Sequence, residues 1–243
     1  MQCVILAGGR GTRLGPLTED RPKALIDVAG RPFLEYQLEL LRTTGVNEIV
    51  LCVGYLAALV EDTFGDGSRL GLSIRYSHDG PEPLGTAGAL RNALPLLGES
   101  FLVTYGDTLL SVDHGAVARA HASSGLPALM TVLENANSLG PSNAVVDGGL
   151  VVAYGKNPPP EGARWIDYGL LALDREPIAS STAADLEPVL GKLAGEMQLA
   201  AYEVDERFYE IGDEVGLTET TKFVQSSPRF GKLRLDRSSK RTR

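Results

Sequence analysis

The sequence predicts an α/β fold, a doubly wound, mostly parallel mixed sheet with helices on both faces. Three observations predict it. Short apolar runs alternate with amphipathic helical stretches from the first residue onward, the signature of parallel strands joined by right-handed crossovers. Glycines follow directly on several of those runs, at the strand ends where open α/β sheets form their ligand crevice. After Leu133 the alternation gives way to a hairpin pattern, so part of the sheet is antiparallel.

The elements follow in order. Cys3-Val4-Ile5-Leu6 reads as a buried strand that breaks into Ala7-Gly8-Gly9-Arg10-Gly11. Leu34, Leu38 and Leu41 fall at i, i+4 and i+7, which makes an amphipathic helix stopped by Gly45. Residues 49–53 form a strand, Ala57, Val60 and Phe64 repeat the helical spacing, and residues 73–77 alternate as a short strand. The loop Glu82-Pro83-Leu84-Gly85-Thr86 enters a helix with Ala87, Leu90, Leu94 and Leu97 on one stripe. Residues 101–105 are an apolar strand ending in Gly106-Asp107-Thr108, and Asp113 caps a helix through Ala120. A strand at 128–133 precedes the hairpin, whose arms at 142–146 and 150–154 flank Asp147-Gly148-Gly149. Lys156-Asn157 leads into Pro158, Pro159 and Pro160, and an extended run resumes at 165–173. Asp185 caps a helix carrying Leu186, Val189, Leu190 and Leu193, and residues 199–203 form a further strand. Asp213 suits an N-cap ahead of Leu217 and Phe223.

With 243 residues and 43% hydrophobic content the chain can build one large domain, placed at residues 1–226. The remainder, 227–243, is basic and lacks apolar periodicity, so it is expected to be a disordered tail. A net charge of −8 gives no global pull toward nucleic acid or an anionic membrane, and neither is expected as a partner. Charged or polar residues interrupt every apolar run before membrane-spanning length, so a soluble, cytoplasmic protein is expected, monomeric or homodimeric. Cys3 and Cys52 lie in strand-like runs and read as buried free thiols. His78, His114 and His121 have no metal-ligand spacing.

The chemistry concentrates in Leu6-Ala7-Gly8-Gly9-Arg10-Gly11-Thr12-Arg13-Leu14. A strand that opens into glycines exposes backbone N–H groups able to wrap a polyphosphate, with Arg13 and Lys23 near enough to neutralise it. Two other glycine loops are excluded. No Gly-Lys-Ser/Thr occurs anywhere, which removes a P-loop, and Leu14 stands where a dinucleotide fingerprint needs its third glycine.

L-A-G-G-R-G-T-R-L followed by R-P-K-A-L resembles the paired signature of the sugar-1-phosphate nucleotidyltransferases, or NDP-sugar pyrophosphorylases, over about residues 1–224. The resemblance implies their Rossmann-like, GT-A-like fold, with an NTP-binding first half at about 1–135 and a sugar-phosphate half at about 136–226. It implies that an NTP and a sugar 1-phosphate condense with release of pyrophosphate, in a Mg²⁺-dependent reaction. Leu6, Ala7, Gly8, Gly9, Gly11 and Thr12 would hold nucleotide, as would Gly85 and Thr86 of the P-L-G-T-A segment. Arg13 and Lys23 carry over as catalytic cations, and Asp107 of the G-D pair as a nucleotide and metal residue. Lys156 occupies the position of a lysine that contacts the sugar's phosphate, and Asp167 and Gly169 belong to the same half-site. Gly155 stands where the family often has a Glu that helps hold sugar hydroxyls. Glu210 takes the place of the second metal carboxylate in the aromatic-x-D-x-G-T segment, and Asp213 that of its threonine.

Short segments around Gly30 to Tyr36 and Phe64 to Ser68 look closest to heptose and mannose 1-phosphate guanylyltransferase-like members, a lean toward GTP. Two alternatives stand beside this reading: a catalytically silent nucleotide-sugar sensor, and a transferase acting on a non-sugar phosphate such as phosphocholine. No hexapeptide repeats are present, so an appended β-helix domain is not expected.

Overall fold

A computed structural model describes residues 1–80, 82–135 and 137–230. The predicted tail lies outside the described residues from 231 onward. The first half runs β1 (Gln2–Leu6), α1 (Phe33–Thr43), β2 (Glu48–Val53), α2 (Ala57–Phe64), β3 (Ser73–His78), α3 (Thr86–Ala93), β4 (Ser100–Tyr105), α4 (His114–Ser124) and β5 (Ala128–Glu134). The second half adds β6 (Ala144–Asp147), β7 (Leu150–Tyr154), β8 (Trp165–Asp174), α5 (Arg175–Ala179), α6 (Leu186–Gly195), β9 (Leu199–Val204) and α7 (Glu214–Ser226). Nine strands make one sheet in the order β3-β2-β1-β4-β8-β5-β9-β7-β6.

β3, β2, β1 and β4 are mutually parallel, and β9 is parallel to β5. β8 runs antiparallel between β4 and β5, and the predicted hairpin β6–β7 closes the far edge. The sheet is therefore mixed, as expected.

Period-two alternation sends neighbouring residues of one strand into different cores. Cys3 and Ile5 of β1 pack with α1, α2 and α4, through Leu34, Leu38, Val60, Phe64 and Val117. Val4 packs on the other face with Ala87 and Leu90 of α3 and Leu186 and Leu190 of α6. Both faces are covered by helices, so the central strands are apolar on both sides. Cys3 and Cys52 are buried free thiols, and burial pushes both up, Cys52 to about 12. No helix among the described residues is long and apolar enough to cross a membrane.

A third cluster departs from the sequence reading. Leu14, Ile26, Phe33, Tyr36, Leu109, Ile211, Val224 and Phe230 pack together, joining the stretch after the glycine loop to α7 and the residues beyond it. Phe230 is 2% exposed and meets the Tyr36 ring edge-on at 5.4 Å. The tail boundary at 227 is thus corrected: the chain stays docked through Phe230, because an aromatic ring with an apolar seat outweighs the polar character of its neighbours.

Phe230→Ala should cost about 3 kcal/mol, the range for emptying a buried aromatic site, with a matching drop in the denaturation midpoint. A second expectation concerns acid stability. His114 is buried, its Nδ1 lies 3.0 Å from Thr44 Oγ1, and burial pushes its pKa down to about 4. The unfolded chain binds that proton first, so the stability is fully present above the unfolded pKa near 6.5 and is lost as pH falls toward 4, on the order of 3 kcal/mol in all. Denaturant titrations across that window should slope less in His114→Gln than in the parent.

Candidate active site

The site is built where three strand ends meet. After β1 the chain turns under the end of β2, with the Ala7 N–H donating to the Cys52 carbonyl at 2.9 Å and the Tyr55 N–H to the Gly8 carbonyl at 3.3 Å. A β-carbon on Gly8 would meet the Asp79 carboxylate, so a side chain there would have to push that carboxylate aside. Gly11 then takes φ 66°, and short helical turns over Thr12–Thr18 and Lys23–Leu25 bring Arg13 and Lys23 back toward the strand ends.

Gly106 follows β4 and is pinned by its N–H to the Leu6 carbonyl at 2.9 Å. Asp107 is thereby presented beside the glycine loop. Lys23 Nζ donates to Asp107 Oδ2 at 2.6 Å, and the Thr108 hydroxyl donates to Asp107 Oδ1 at 3.1 Å. Both side chains of the ion pair are largely shielded, at 12% and 30% exposed.

Glu210 reaches the same place by backbone pairing. Tyr209 and Glu210 lie antiparallel to Leu109 and Thr108, and the Ile211 N–H donates to the Asp107 carbonyl at 2.9 Å. The Glu210 carboxyl stands at the exposed rim, yet partial desolvation and then the Asp107 charge push its pKa up, while Lys23 and Arg13 pull it down. Arg13 Nη2 would lie 3.8 Å from a β-carbon on Gly212, which sets the guanidinium against this segment. Arg13, Lys23, Asp107 and Glu210, spread across the sequence, are brought together. Asp213 is elsewhere employed: its Oδ1 accepts from the Gly216 N–H at 2.8 Å as the N-cap of α7.

The glycine loop and the α3 entrance enclose a cleft of about 520 Å³, ample for a nucleotide. Leu6, Ala7, Gly8, Gly9, Lys23, Gly85, Thr86 and Asp107 line it, whereas Gly11, Thr12 and Arg13 are not among its lining residues. On the α3 side the expected capping is rearranged. Asp185 makes no cap bond to its own helix; its Oδ1 accepts from the Thr86 N–H of α3 at 3.2 Å, and the Thr86 Oγ1 accepts from the Leu186 N–H of α6 at 2.8 Å. Each helix is capped by the other's first residues. The Thr86 hydroxyl is committed to this exchange.

From the second half, Lys156 sets its Nζ 5.6 Å from the centroid of the Tyr105 ring, which lines the cleft. Its backbone N–H donates to Glu187 Oε1 at 2.6 Å, which sets an α6 acid beside Gly155. Asp167 accepts from the Tyr154 hydroxyl at 3.0 Å and from the Gly169 N–H at 3.0 Å, in an irregular stretch of β8 where Gly169 takes φ 99°. Burial, and then Asp167, Asp107, Asp185 and Glu187, push the Tyr105 phenol far up.

Among the cleft residues to which the sequence reading gave no site role are three charged ones. Arg10 lines the cleft with its guanidinium over Tyr55 at 5.4 Å, and Asp185 lines it from α6. Asp79 lines it too, with Oδ1 buried and unpartnered and its pKa raised chiefly by burial. The signal for Asp79 was present: an Asp-Gly pair closes β3 just as Gly-Asp closes β4. Among the described residues no group of three or more His, Cys, Asp and Glu is gathered as a metal site. Asp107 and Glu210 offer two hard carboxylates, the number Mg²⁺ takes when substrate phosphates fill its other positions.

A family model described as nucleotidyl transferase matches residues 2–146. The chain is 37% identical over 208 residues to the N-acetylmuramate alpha-1-phosphate uridylyltransferase of Neisseria meningitidis serogroup B, covering 82% of this chain and 86% of that protein. It is 32% identical to the mannose-1-phosphate guanylyltransferase catalytic subunit beta of Xenopus tropicalis, covering 93% of this chain and 65% of that one. Among solved structures, HddC from Yersinia pseudotuberculosis complexed with GMP-PN aligns at a TM-score of 0.74 and 27% identity, covering 91% of this chain and 98% of that one.

The two acids near the C-terminal motif should separate in thermal melts. Asp213→Ala loses a cap and about 1 kcal/mol. Glu210→Gln removes a like charge from beside Asp107, so the ligand-free protein should melt slightly higher at neutral pH; a lower melt for Glu210→Gln would overturn this assignment of the repulsion.

Proposed function

The chain belongs to the nucleotidyl transferase family and is a sugar-1-phosphate nucleotidyltransferase, and from that premise we propose how its residues divide the work. A phosphate oxygen of the sugar 1-phosphate attacks the α-phosphorus of an NTP, and pyrophosphate leaves. Attacker and target are both anionic, so the protein's tasks are alignment and charge neutralisation.

The observation that carries the proposal is the meeting of Lys23, Asp107, Glu210 and the Arg13 segment at the ends of β1 and β4. Arg13 holds the β- and γ-phosphates and the departing pyrophosphate through its planar fork. Lys23 neutralises the α-phosphate as its charge rises, leaving the Asp107 contact that it makes in the free protein. Backbone N–H groups from Leu6 to Thr12, with Gly85 and Thr86, seat the nucleotide. Lys156, beside the Tyr105 ring, holds the attacking phosphate. Asp167 and Gly169 hold the sugar side, with Glu187 supplying the acid that Gly155 lacks.

Asp107 and Glu210 would hold Mg²⁺, which supplies Lewis-acid charge to the reacting phosphates when bound. The two carboxylates fit it: Glu210 is raised partly by Asp107, a repulsion that a shared cation relieves. The nucleobase follows from Asp79. Its carboxylate only accepts hydrogen bonds when ionised, and it suits the adjacent N–H donors on one edge of guanine, so GTP is the proposed substrate.

GTP, UTP, CTP and dTTP tested against several sugar 1-phosphates, read by pyrophosphate release, should rank GTP first. Absence of release from every pair would overturn the catalytic reading and favour a silent sensor. Arg13→Ala and Lys23→Ala should each lower kcat on the order of a hundredfold while still melting cooperatively, Lys23→Ala at a lower temperature because Asp107 loses its partner.

A further inference from the structure

Gln37 lies on α1, 5% exposed, and no role given to the site so far uses it. Its Nε2 donates to the Tyr105 carbonyl at 2.8 Å and to the Thr108 carbonyl at 2.6 Å. Those two carbonyls flank Gly106 and Asp107, so one side-chain amide grips both ends of the turn that carries the acid. Both hydrogens of the amide nitrogen are spent there.

The other half of the amide is unsatisfied. Gln37 Oε1 is buried without a partner, and so is Thr104 Oγ1, on the strand that leads into the same turn. Gln37, Thr104 and Thr108 line one small cavity together with Leu40, Leu110 and His114. Its volume is about 10 Å³, close to the space that one water molecule needs. Two orphaned polar atoms on one water-sized cavity are better satisfied together than left bare, since each buried unpaired group carries a desolvation penalty.

We infer that Gln37 is a positioning residue for the Asp107 turn, and that an internal water, accepting from the Thr104 hydroxyl and donating to Gln37 Oε1, fixes the orientation of its amide. The amide then cannot flip: turned over, its oxygen would face two carbonyl oxygens and its nitrogen would face the water. This orientation holds the turn from behind, on the side away from the cleft. The catalytic consequence rests on the role given to Asp107 above; the water and the grip do not.

The experiment uses the full chain and three variants, Thr104→Val, Gln37→Met and the double. If the water is present, a well-resolved crystal structure shows a density peak in the cavity, and Thr104→Val lowers the melting temperature by about 2–4 °C. That loss disappears in the Gln37→Met background, because the two groups are coupled through the water. A melt raised by Thr104→Val, with additive effects and no density, would overturn the water.

For the positioning role, Gln37→Met should reduce kcat roughly tenfold while the KM for sugar 1-phosphate stays within twofold. Leu38→Ala, a fully buried neighbour on the same helix, controls for instability and should leave kcat within twofold. Full kcat in Gln37→Met, alongside crippled Arg13→Ala and Lys23→Ala, would sink this inference and leave the reading of the site standing.

Discussion

A carboxylate at the end of β4, held 2.6 Å from the Lys23 ammonium, is the constraint on which the rest depends. An acid this shielded needs a cation beside it, and the fold supplies one from a segment far away in sequence. The pair ties the turns after the glycine loop to the centre of the sheet. It also stores the charge balance of the free protein: one cation already faces one anion where phosphates are to bind. Were substrate phosphates to take the lysine over, Asp107 would be left in need of another cation, the part proposed above for Mg²⁺.

The remaining architecture serves to keep that point in register. Gly106 is fastened to Leu6, Ile211 to the Asp107 carbonyl, and Glu210 is paired opposite Thr108, so the second acid arrives by backbone hydrogen bonds. The cluster around Phe33, Tyr36, Ile211 and Phe230 then clamps the returning chain against α1. A short ladder of Tyr209 and Glu210 is marginal alone, and its permanence comes from the aromatic packing beside it.

Much of this was legible in the sequence. The strand and helix spacing gave the alternating first half, the hairpin gave the antiparallel edge, and the glycine loop with Arg13 and Lys23 pointed to phosphate chemistry. Glu210 rather than Asp213 was the expected second acid, and Asp213 indeed caps a helix. What stayed hidden were relations between distant segments. Nothing local in Arg229 or Phe230 reveals that Tyr36 offers the ring a seat, and nothing around Leu186 reveals that its cap comes from Thr86. Gln37 likewise reads as an ordinary helix residue until the helix is laid under β4, whereas Asp79 was legible by the same strand-end rule that singled out Asp107.

The exchanged caps of α3 and α6 bear on how such a chain can change over generations. Thr86 and Asp185 lie 99 residues apart, yet each serves the beginning of the other's helix, Asp185 accepting from the Thr86 N–H of α3 and the Thr86 hydroxyl from the Leu186 N–H of α6. Drift at one position is therefore felt at the start of the other's helix, and a different solution is reached most easily through both changing together. The two are in effect a single inherited character, and a descendant that shuffled one half of the sheet onto a foreign partner would have to bring the matching residue with it.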